Sequence, residues 1–486
     1  MAPGPEVTGP VQGRLERGTV FEMSPERLTA LDASFLYLER PAMHMHVAGL
    51  AVLDPSSRPD GRLTLDAVAN SMAERLHLLP RFRQKVLTVP FDLALPVWVD
   101  DAGFDLDFHL QRAALPSPGG RRELADFVQR VLSRPLDRTK PLWELYVIEG
   151  LEDGYVATLL KVHHAMVDGL SGMHLAAAVY DLSPEPPSLP PTRPWRPERE
   201  PTSQELLRDA VLELATHPVE ALTGLVDNVR RSPELTALGL GAVMSGVRSI
   251  FDMGSRPRSS FDVRIGPNRR FAMTEAPVQL LKNIKDRLGG TVNDVVLAAV
   301  GGAMHRLLVE RHESTKDRTL RVMVPVSVRG STDGALANRV APAFVDLPVG
   351  RMGPKRRLAL VREGTGHLKD SMMAMGADAI IGLGAFAPGG LLAAAARLVS
   401  RGPWFNLVVS NIPGPQQPMY LAGARLVANY PSMPLGENSA LSIACTSLGG
   451  TMAFGLTADW DGMPDADRLA LALDGALGDL AKAAGV

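Results

Sequence analysis

The sequence lacks features on which several protein classes depend. Its 486 residues include one cysteine, Cys445, which excludes a disulfide within the chain and argues against a Cys-based zinc site. The formal net charge is −2, so the chain offers no basic field for nucleic acid. A G-x-S-x-G pattern, which would indicate a serine nucleophile elbow, is absent. These absences argue against a disulfide scaffold, a nucleic-acid-binding protein and a serine hydrolase.

Long apolar runs are also missing. No window holds 18 or more consecutive apolar residues free of charge, so the sequence predicts no transmembrane helix. Residues 1–22 lack the apolar segment of a signal peptide and are typical of a flexible tail. Hydrophobic residues make up 45% and charged residues 21%, a globular composition. With a single cysteine, this composition favours a reducing, cytoplasmic location.

Helical and strand patterns alternate along both halves of the chain, which predicts an α/β fold with mixed sheets. Helical spacing is found in residues 63–80, 122–137 and 289–311. Strand patterns cover residues 44–54, 143–148, 154–164, 320–329 and 404–415. Two further strands flank Gly449-Gly450, a hairpin signal.

A proline-rich stretch, LSPEPPSLPPTRPWRPEREPTS, separates the halves. Its prolines prevent a helix or central strand and favour an extended connector, although a partner-binding motif is an alternative. We therefore predict a tail over 1–22, a domain over 23–182, a linker over 183–203 and a second domain over 204–486. The apolar region that follows the linker fits ordinary core helices or a lipid-facing flap. A pocket is expected between the domains.

The stretch TLLKVHHAMVDGLSG places two histidines at the end of a predicted strand. Side chains alternate along a strand, so His163 shares a face with Lys161 and His164 shares the other face with Val162. One imidazole should then serve chemistry and the other structure. His164 lies nearer the strand end, where α/β proteins place reactive groups, and is the candidate general base.

Other interpretations of this motif stay open at this point. Two histidines in a strand could simply pack in a core. Asp168 could orient the imidazole, pair with a buried arginine or cap the following helix, and Gly169 would permit a positive φ at the turn. A metal site would need further ligands, such as His174, so we predict no bound metal.

The motif HHAMVDG matches the HHxxxDG pattern of CoA-dependent acyltransferases and most resembles the wax ester synthase/diacylglycerol acyltransferase family. Further stretches that resemble this family occur in its order: LDASFLYLE, PRFRQKV, PLWELYVIEGL, TVNDVVLAAV, VPVSVR and NLVVSNIPGP. The resemblance covers roughly residues 24–477 and shows no departure at these motifs.

The resemblance implies two chloramphenicol-acetyltransferase-like domains with the active site in a tunnel at their interface. It implies that acyl-CoA enters from one side and an acceptor alcohol from the other. By motif position His164 is the catalytic base and His163 is structural. Asp168 would form a salt bridge to an arginine, with Arg81 and Arg83 as alternative partners.

The proposed reaction is direct transfer, in which His164 takes the proton of an acceptor hydroxyl as it attacks the thioester. Asn293 is a candidate oxyanion or positioning donor, although Thr291 and Asp294 also fit a helix capping box. The remaining candidates for substrate contact are Trp143, which also fits a core position, together with Asp294, Ser327 and Ser410.

These features predict an O-acyltransferase that moves a long-chain acyl group from acyl-CoA to diacylglycerol, with fatty alcohols as further acceptors. Acyl-CoA is a substrate, and no cofactor is expected. Association with the inner membrane or lipid inclusions fits such substrates. The alternatives are an acyltransferase of this fold with an acyl-carrier-protein donor or another alcohol, and a lipid-binding paralogue without catalysis.

Overall fold

The computed structural model describes residues 25–167, 178–185, 194–213, 258–328, 339–375, 402 and 404–486. Asp168, Gly169, the tail over 1–22 and most of the apolar region after the linker lie outside these ranges. The side chains of residues 327, 328, 339–341 and 367–375 are likewise not described.

The N-terminal half alternates helices and strands as its hydrophobic periodicity predicts. The helices are α1 Ala30–Leu38, α2 Leu65–Arg75, α3 Leu106–His109 and α4 Arg121–Leu132, and residues 203–213 are also helical. The strands are β1 His46–Asp54, β2 Gln84–Leu87, β3 Val97–Asp100, β4 Leu110–Ala114, β5 Trp143–Glu149 and β6 Val156–His163.

The C-terminal half has the same mixed character. Its helices are α5 Val278–Leu288, α6 Val292–Glu310, α7 Pro354–Met375 and α8 Ala466–Ala484. Its strands are β7 Arg269–Pro277, β8 Thr319–Val328, β9 Arg339–Pro348, β10 Leu407–Ile412, β11 Tyr420–Leu421, β12 Ala424–Ser432, β13 Leu441–Leu448 and β14 Thr451–Asp459.

Two mixed sheets of six strands organise these elements. The first has the order β11-β12-β1-β6-β5-β4 and the second has the order β7-β14-β13-β10-β8-β9, with β2 and β3 forming a separate ribbon. Parallel pairs (β4 with β5, β10 with β8 and β13) occur beside antiparallel ones in both sheets. The predicted mixed α/β class is therefore confirmed.

The first sheet takes two of its strands from the far end of the chain. β12 pairs antiparallel with β1, with Ala48 opposite Ser432 and Leu50 opposite Tyr430. Residues 420–432 thus belong to the sheet of the N-terminal half although they follow the linker by more than two hundred positions. A strand pattern predicts alternation but not the partner strand, so the crossover was not predicted. The boundaries proposed above stay a prediction.

The β13–β14 hairpin forms at the predicted glycine pair. Gly449 has φ 53° and Gly450 has φ 92°, and positive φ at both turn residues is what a two-residue hairpin with strand-compatible twist requires. Leu448 pairs with Thr451 across the turn.

Helix α6 is the core helix of the C-terminal half. Among the described helices it is the one long and apolar enough to cross a membrane, and 72% of its most apolar window is buried inside the protein. Thr291 caps its first turn, and α7 and α8 pack against it. Packing on several sides accounts for the apolar character of this helix.

Gly455 marks a close approach between the two sheets. It lies in β14, and a Cβ atom built on it would overlap the carbonyl oxygen of Pro431 in β12. We expect Gly455→Ala to lower the free energy of unfolding by about 1–3 kcal/mol, because backbone on both sides must move. Urea unfolding measures the loss. Gly478→Ala is the matched control, since its Cβ meets nothing within 4 Å in helix α8, and an equal loss there would contradict the steric account.

Candidate active site

The strand that carries the two histidines ends between them. β6 finishes at His163, and a 3₁₀ turn, His164–Met166, begins at the next residue. The residues just before β5 and β1 bind both backbone amides: His163 N–H donates to Leu142 O at 2.9 Å and His164 N–H donates to Met45 O at 2.7 Å. The two imidazoles have different neighbours: His163 Nε2 lies near Glu39, and the His164 ring stacks on Phe35. His163 is fully buried, whereas His164 is partly exposed.

His163 is built into the scaffold. Its Nδ1 accepts a hydrogen bond from the Ala165 amide at 3.1 Å, which closes the turn that carries His164. The neutral ring then carries its proton on Nε2, which lies 3.7 Å from Glu39 Oε2. Burial lowers the pKa of His163 to about 3, and the Glu39 carboxylate only partly offsets this shift. His163 is neutral near pH 7.

Glu39 is the centre of a buried cluster that the sequence motifs did not reveal. Besides His163, its carboxylate lies 3.2 Å from His46 Nε2 and 3.7 Å from Arg138 Nε. Burial also lowers the pKa of His46 well below its usual value. Both residues lie in stretches that stand out in the sequence, since LDASFLYLE ends on Glu39 and His46 is the first residue of β1. Neither stretch shows that Glu39 and His46 lie side by side. Among the described residues no group of three His, Cys, Asp or Glu side chains has the arrangement of a metal site.

Lys161 shares the buried face of β6 with His163. Its ammonium donates to Arg134 O at 2.6 Å and to Val131 O at 3.2 Å, the carbonyls at the end of helix α4. Glu144 Oε2 lies 3.7 Å away. Burial lowers the pKa of Lys161 to about 8, against the opposing effect of Glu144. Lys161 thus binds carbonyl groups at and just beyond the C-terminal end of α4 and connects that helix to β6.

His164 presents its ring beside helix α1. The imidazole stacks on Phe35 with ring centroids 3.9 Å apart and planes at 24°. Its Nδ1 has no hydrogen-bond partner among the other described residues. Burial lowers the pKa of His164 to about 4, and only a contact with the residue's own backbone acts in the opposite direction. A neutral imidazole that is partly open to its surroundings can accept a proton near pH 7.

The residues of the ND motif cap helix α6. The Thr291 hydroxyl accepts from the Asp294 amide at 3.2 Å, and Asp294 Oδ2 accepts from the Thr291 amide at 2.7 Å. Asp294 Oδ1 accepts from the Thr365 hydroxyl at 2.7 Å. Both carboxylate oxygens of this buried aspartate are thus engaged in protein contacts, and its contact with substrate stays a prediction. Asn293 is partly exposed in the same first turn, and its catalytic role stays a prediction.

Trp143 lies in the core of the N-terminal half. Its side chain is 0% exposed, its indole N–H donates to Phe82 O at 2.9 Å, and its ring stacks on His109 at 4.5 Å. The His109 Nδ1 in turn contacts Trp143 O at 2.7 Å. The core position weighed from the sequence matches this environment, and a contact of Trp143 with substrate stays a prediction.

The two candidate partners of Asp168 have other contacts. Arg81 forms an ion pair with Glu26 and donates to Gln84 Oε1 at 2.7 Å, and Arg83 lies over the Trp195 ring at 4.6 Å. Because Asp168 and Gly169 lie outside the described residues, the salt bridge and the turn conformation stay predictions.

The two serine candidates lie on neighbouring strands of the second sheet. Ser410 is buried in β10, and Ser327 lies near the end of β8, which runs parallel to β10. The side chain of Ser327 is not described. Their contact with substrate and the tunnel between the domains stay predictions.

Two family models match the chain. Residues 28–296 match the wax ester synthase/diacylglycerol acyltransferase catalytic domain, and residues 336–481 match the C-terminal domain of the same family. The first match includes the histidine turn and the start of α6, and the second includes β12, which completes the first sheet.

Similar proteins include two from Mycobacterium tuberculosis strain H37Rv that are named diacylglycerol O-acyltransferases. One is 34% identical over 449 residues, covering 90% of this chain and 87% of the relative. The other is 32% identical over 464 residues, covering 94% and 98%.

Solved structures show the same architecture. The wax ester synthase/diacylglycerol acyltransferase from Marinobacter aquaeolei VT8 has a TM-score of 0.66 and 27% identity, covering 95% of this chain and 100% of that one. The starter condensation domain of rhizomide synthetase has a TM-score of 0.55 at 12% identity, with 95% of each chain covered, and supports the fold alone.

Proposed function

The chain belongs to the wax ester synthase/diacylglycerol acyltransferase family, and from this premise we propose that it transfers a long-chain acyl group from acyl-CoA to the hydroxyl of diacylglycerol. Fatty alcohols would be further acceptors. The observation that carries the proposal is the placement of His164: a neutral, partly exposed imidazole on a turn at a strand end. The relatives' names supply the acceptor, and the motif resemblance supplies the CoA thioester as donor.

His164 acts on the acceptor directly in this mechanism. A ring nitrogen removes the hydroxyl proton as the oxygen attacks the thioester carbonyl, which forms a tetrahedral oxyanion. The oxyanion needs a donor about 3 Å away, and Asn293 is our candidate. When the intermediate collapses, the C–S bond breaks and the CoA thiolate takes the proton from the imidazolium. The base activates the acceptor itself, so no acyl-enzyme is required.

The different contacts of the two histidines support this proposal. His163 closes the turn and faces Glu39, so it has no ring nitrogen directed at a substrate. Among the described residues, none other than His164 itself forms a hydrogen bond with its Nδ1 atom.

Because the expected acceptor is a lipid, we also propose that the protein works from the cytoplasm at the surface of the inner membrane or of lipid inclusions.

The test is thiol release from palmitoyl-CoA with a panel of acceptors: dioleoylglycerol, hexadecanol, a short-chain alcohol and no acceptor. Lipid products are identified by mass spectrometry. The proposal expects triacylglycerol with the first acceptor and wax ester with the second. Palmitoyl-acyl-carrier protein is offered in parallel. Ester formation from that donor alone would favour the carrier-protein alternative, and no ester with any pair would contradict an acyltransferase function.

The pH profile should reflect the low pKa of His164. Since burial lowers this pKa to about 4, the imidazole stays unprotonated well below the usual histidine value. We expect kcat/KM to stay level from pH 7 to about pH 5 and to fall only near the shifted pKa. Short assays with stability checked at each pH measure it. An acid limb near pH 6.5 would contradict the buried, neutral state of the base.

A further inference from the structure

We propose that Phe35 is a positioning residue for the base: its ring holds the His164 imidazole in its reactive orientation and shields one face of it from water. The inference deepens the proposed function and rests on it, because it takes His164 as the base. The contact itself is independent of that assignment.

Helix α1 delivers Phe35 to the histidine turn from a firmly held position. The Thr29 hydroxyl caps the helix by accepting from the Asp32 amide at 3.1 Å. Ala33 and Leu36 bury the opposite side of the helix in the N-terminal core. Phe35 itself packs against the larger core cluster, which includes Met43 and Met45 beside residues of the C-terminal half. The two sides of the helix thus pack against different core clusters.

The stack is close enough to restrict the imidazole. With centroids 3.9 Å apart and planes at 24°, the two rings are in van der Waals contact over most of one face. Rotation of the imidazole about its side-chain bonds would lose that contact or drive the ring into Phe35.

Few hydrogen bonds restrain the His164 ring, since the one contact that raises its pKa is with its own backbone. A histidine base is commonly oriented by a carbonyl or carboxylate that hydrogen-bonds its second ring nitrogen. In the part of the chain that the structure describes, Nδ1 of His164 has no partner beyond its own residue. The nearby carboxylate of Glu39 serves His46 and His163 instead. Packing on Phe35 therefore adds a restraint to the contact that the imidazole makes with its own backbone.

Burial, and not a neighbouring charge, has the largest effect on the pKa of His164. The elements around the turn carry several titratable groups: Asp32 and Tyr37 on α1, Glu39 just after α1, His46 on β1, and Lys161 and His163 on β6. None of them contributes to the lowered pKa of His164, whose main cause is burial. Removal of the Phe35 ring would admit water to one face of the imidazole and should move the pKa back toward 6.5.

The test compares Phe35→Ala, Phe35→Leu and Phe35→Tyr with Leu31→Ala as the matched control, since Leu31 is exposed on the same helix. We expect Phe35→Ala and Phe35→Leu to lower kcat by about 10–10²-fold with little change in the KM for palmitoyl-CoA. Their acid limb should shift to higher pH. Phe35→Tyr, which keeps the ring, should restore most of kcat, and Leu31→Ala should match the wild type.

A direct measurement of the His164 pKa distinguishes a failure of this inference from a failure of the proposed function. Nitrogen NMR of ¹⁵N-histidine-labelled protein gives the His164 pKa, with the signal assigned from its loss in His164→Gln. A raised pKa in Phe35→Leu supports the packing contact even if His164→Ala keeps full activity, an outcome that would refute only the base assignment. If folded Phe35→Leu keeps both the wild-type kcat and the wild-type His164 pKa, the positioning role is refuted. The leucine variant retains an apolar side chain, so it serves if the alanine variant fails to fold.

Discussion

Replacement of His164 by alanine is expected to lower the rate of ester formation by about 10²–10⁴-fold, the usual contribution of a general base. The fold should survive, because the side chain of His164 makes no hydrogen bond to another described residue and lies outside β6. The backbone amide that donates to Met45 O is unchanged by the substitution. Single-turnover assays with palmitoyl-CoA and dioleoylglycerol measure the loss.

The neighbouring histidine provides the control. His163 is fully buried, and its ring accepts the Ala165 amide. His163→Ala would leave that amide without its partner and open a cavity, so we expect a loss of about 1–3 kcal/mol in unfolding free energy. Two results would contradict the division of roles: His164→Ala with unchanged activity, or His164→Ala with the larger loss of stability.

Acid is expected to unfold the protein at a higher pH than its carboxylates alone would require. Burial lowers the pKa of His163 to about 3 and of His164 to about 4, and it lowers that of His46 well below 6.5. The unfolded chain takes up these protons near pH 6.5, whereas the folded protein does not. The stability from these groups is fully present above pH 6.5 and is lost as the pH falls toward their folded values.

The size of this effect follows from linkage. A histidine with a folded pKa of about 3 or 4 contributes a slope of up to about 1.4 kcal/mol per pH unit, so His163 and His164 together approach about 3 kcal/mol per unit between roughly pH 6 and 5. His46 acts in the same direction. Urea midpoints measured at half-unit steps reveal the slope. His163→Gln should lower the slope by about 1.4 kcal/mol per pH unit, whereas His312→Asn, which replaces an exposed imidazole, should leave it unchanged. A midpoint that is constant from pH 7 to 5 would contradict the neutral buried cluster.

Sequence periodicity predicted the elements of this fold better than their partners. The β1, β5, β6 and α6 segments and the Gly449-Gly450 turn were all predicted, because alternation, helical spacing and turn chemistry are local properties. The pairing of β12 with β1 was not, since the register of a strand from the distant end of the chain leaves no mark in either segment. Gly455 shows the same limit. A side chain is excluded there by Pro431, which lies in the other sheet.

For the candidate active site, the sequence likewise predicted local features but not the contacts between distant segments. Alternation assigned His163 and His164 to opposite faces, and the structure places the end of β6 between them. The capping box of Thr291 and Asp294, weighed against a catalytic role for Asn293, is present, and that role stays a prediction. The contacts of Glu39 and Phe35 could not be predicted, because both depend on how helix α1 lies against the end of β6. A phenylalanine within a short helix and a glutamate just after it can have many different neighbours, and the sequence does not choose among them.

The measurement that tests the central claim most directly is rapid-mix thiol release with palmitoyl-CoA, in the presence and absence of dioleoylglycerol. If His164 activates the acceptor itself, CoA should appear only with the acceptor present, without a burst, and the intact protein mass should not change. A burst of CoA stoichiometric with enzyme in the absence of acceptor, together with a palmitoyl adduct on the protein, would contradict direct transfer.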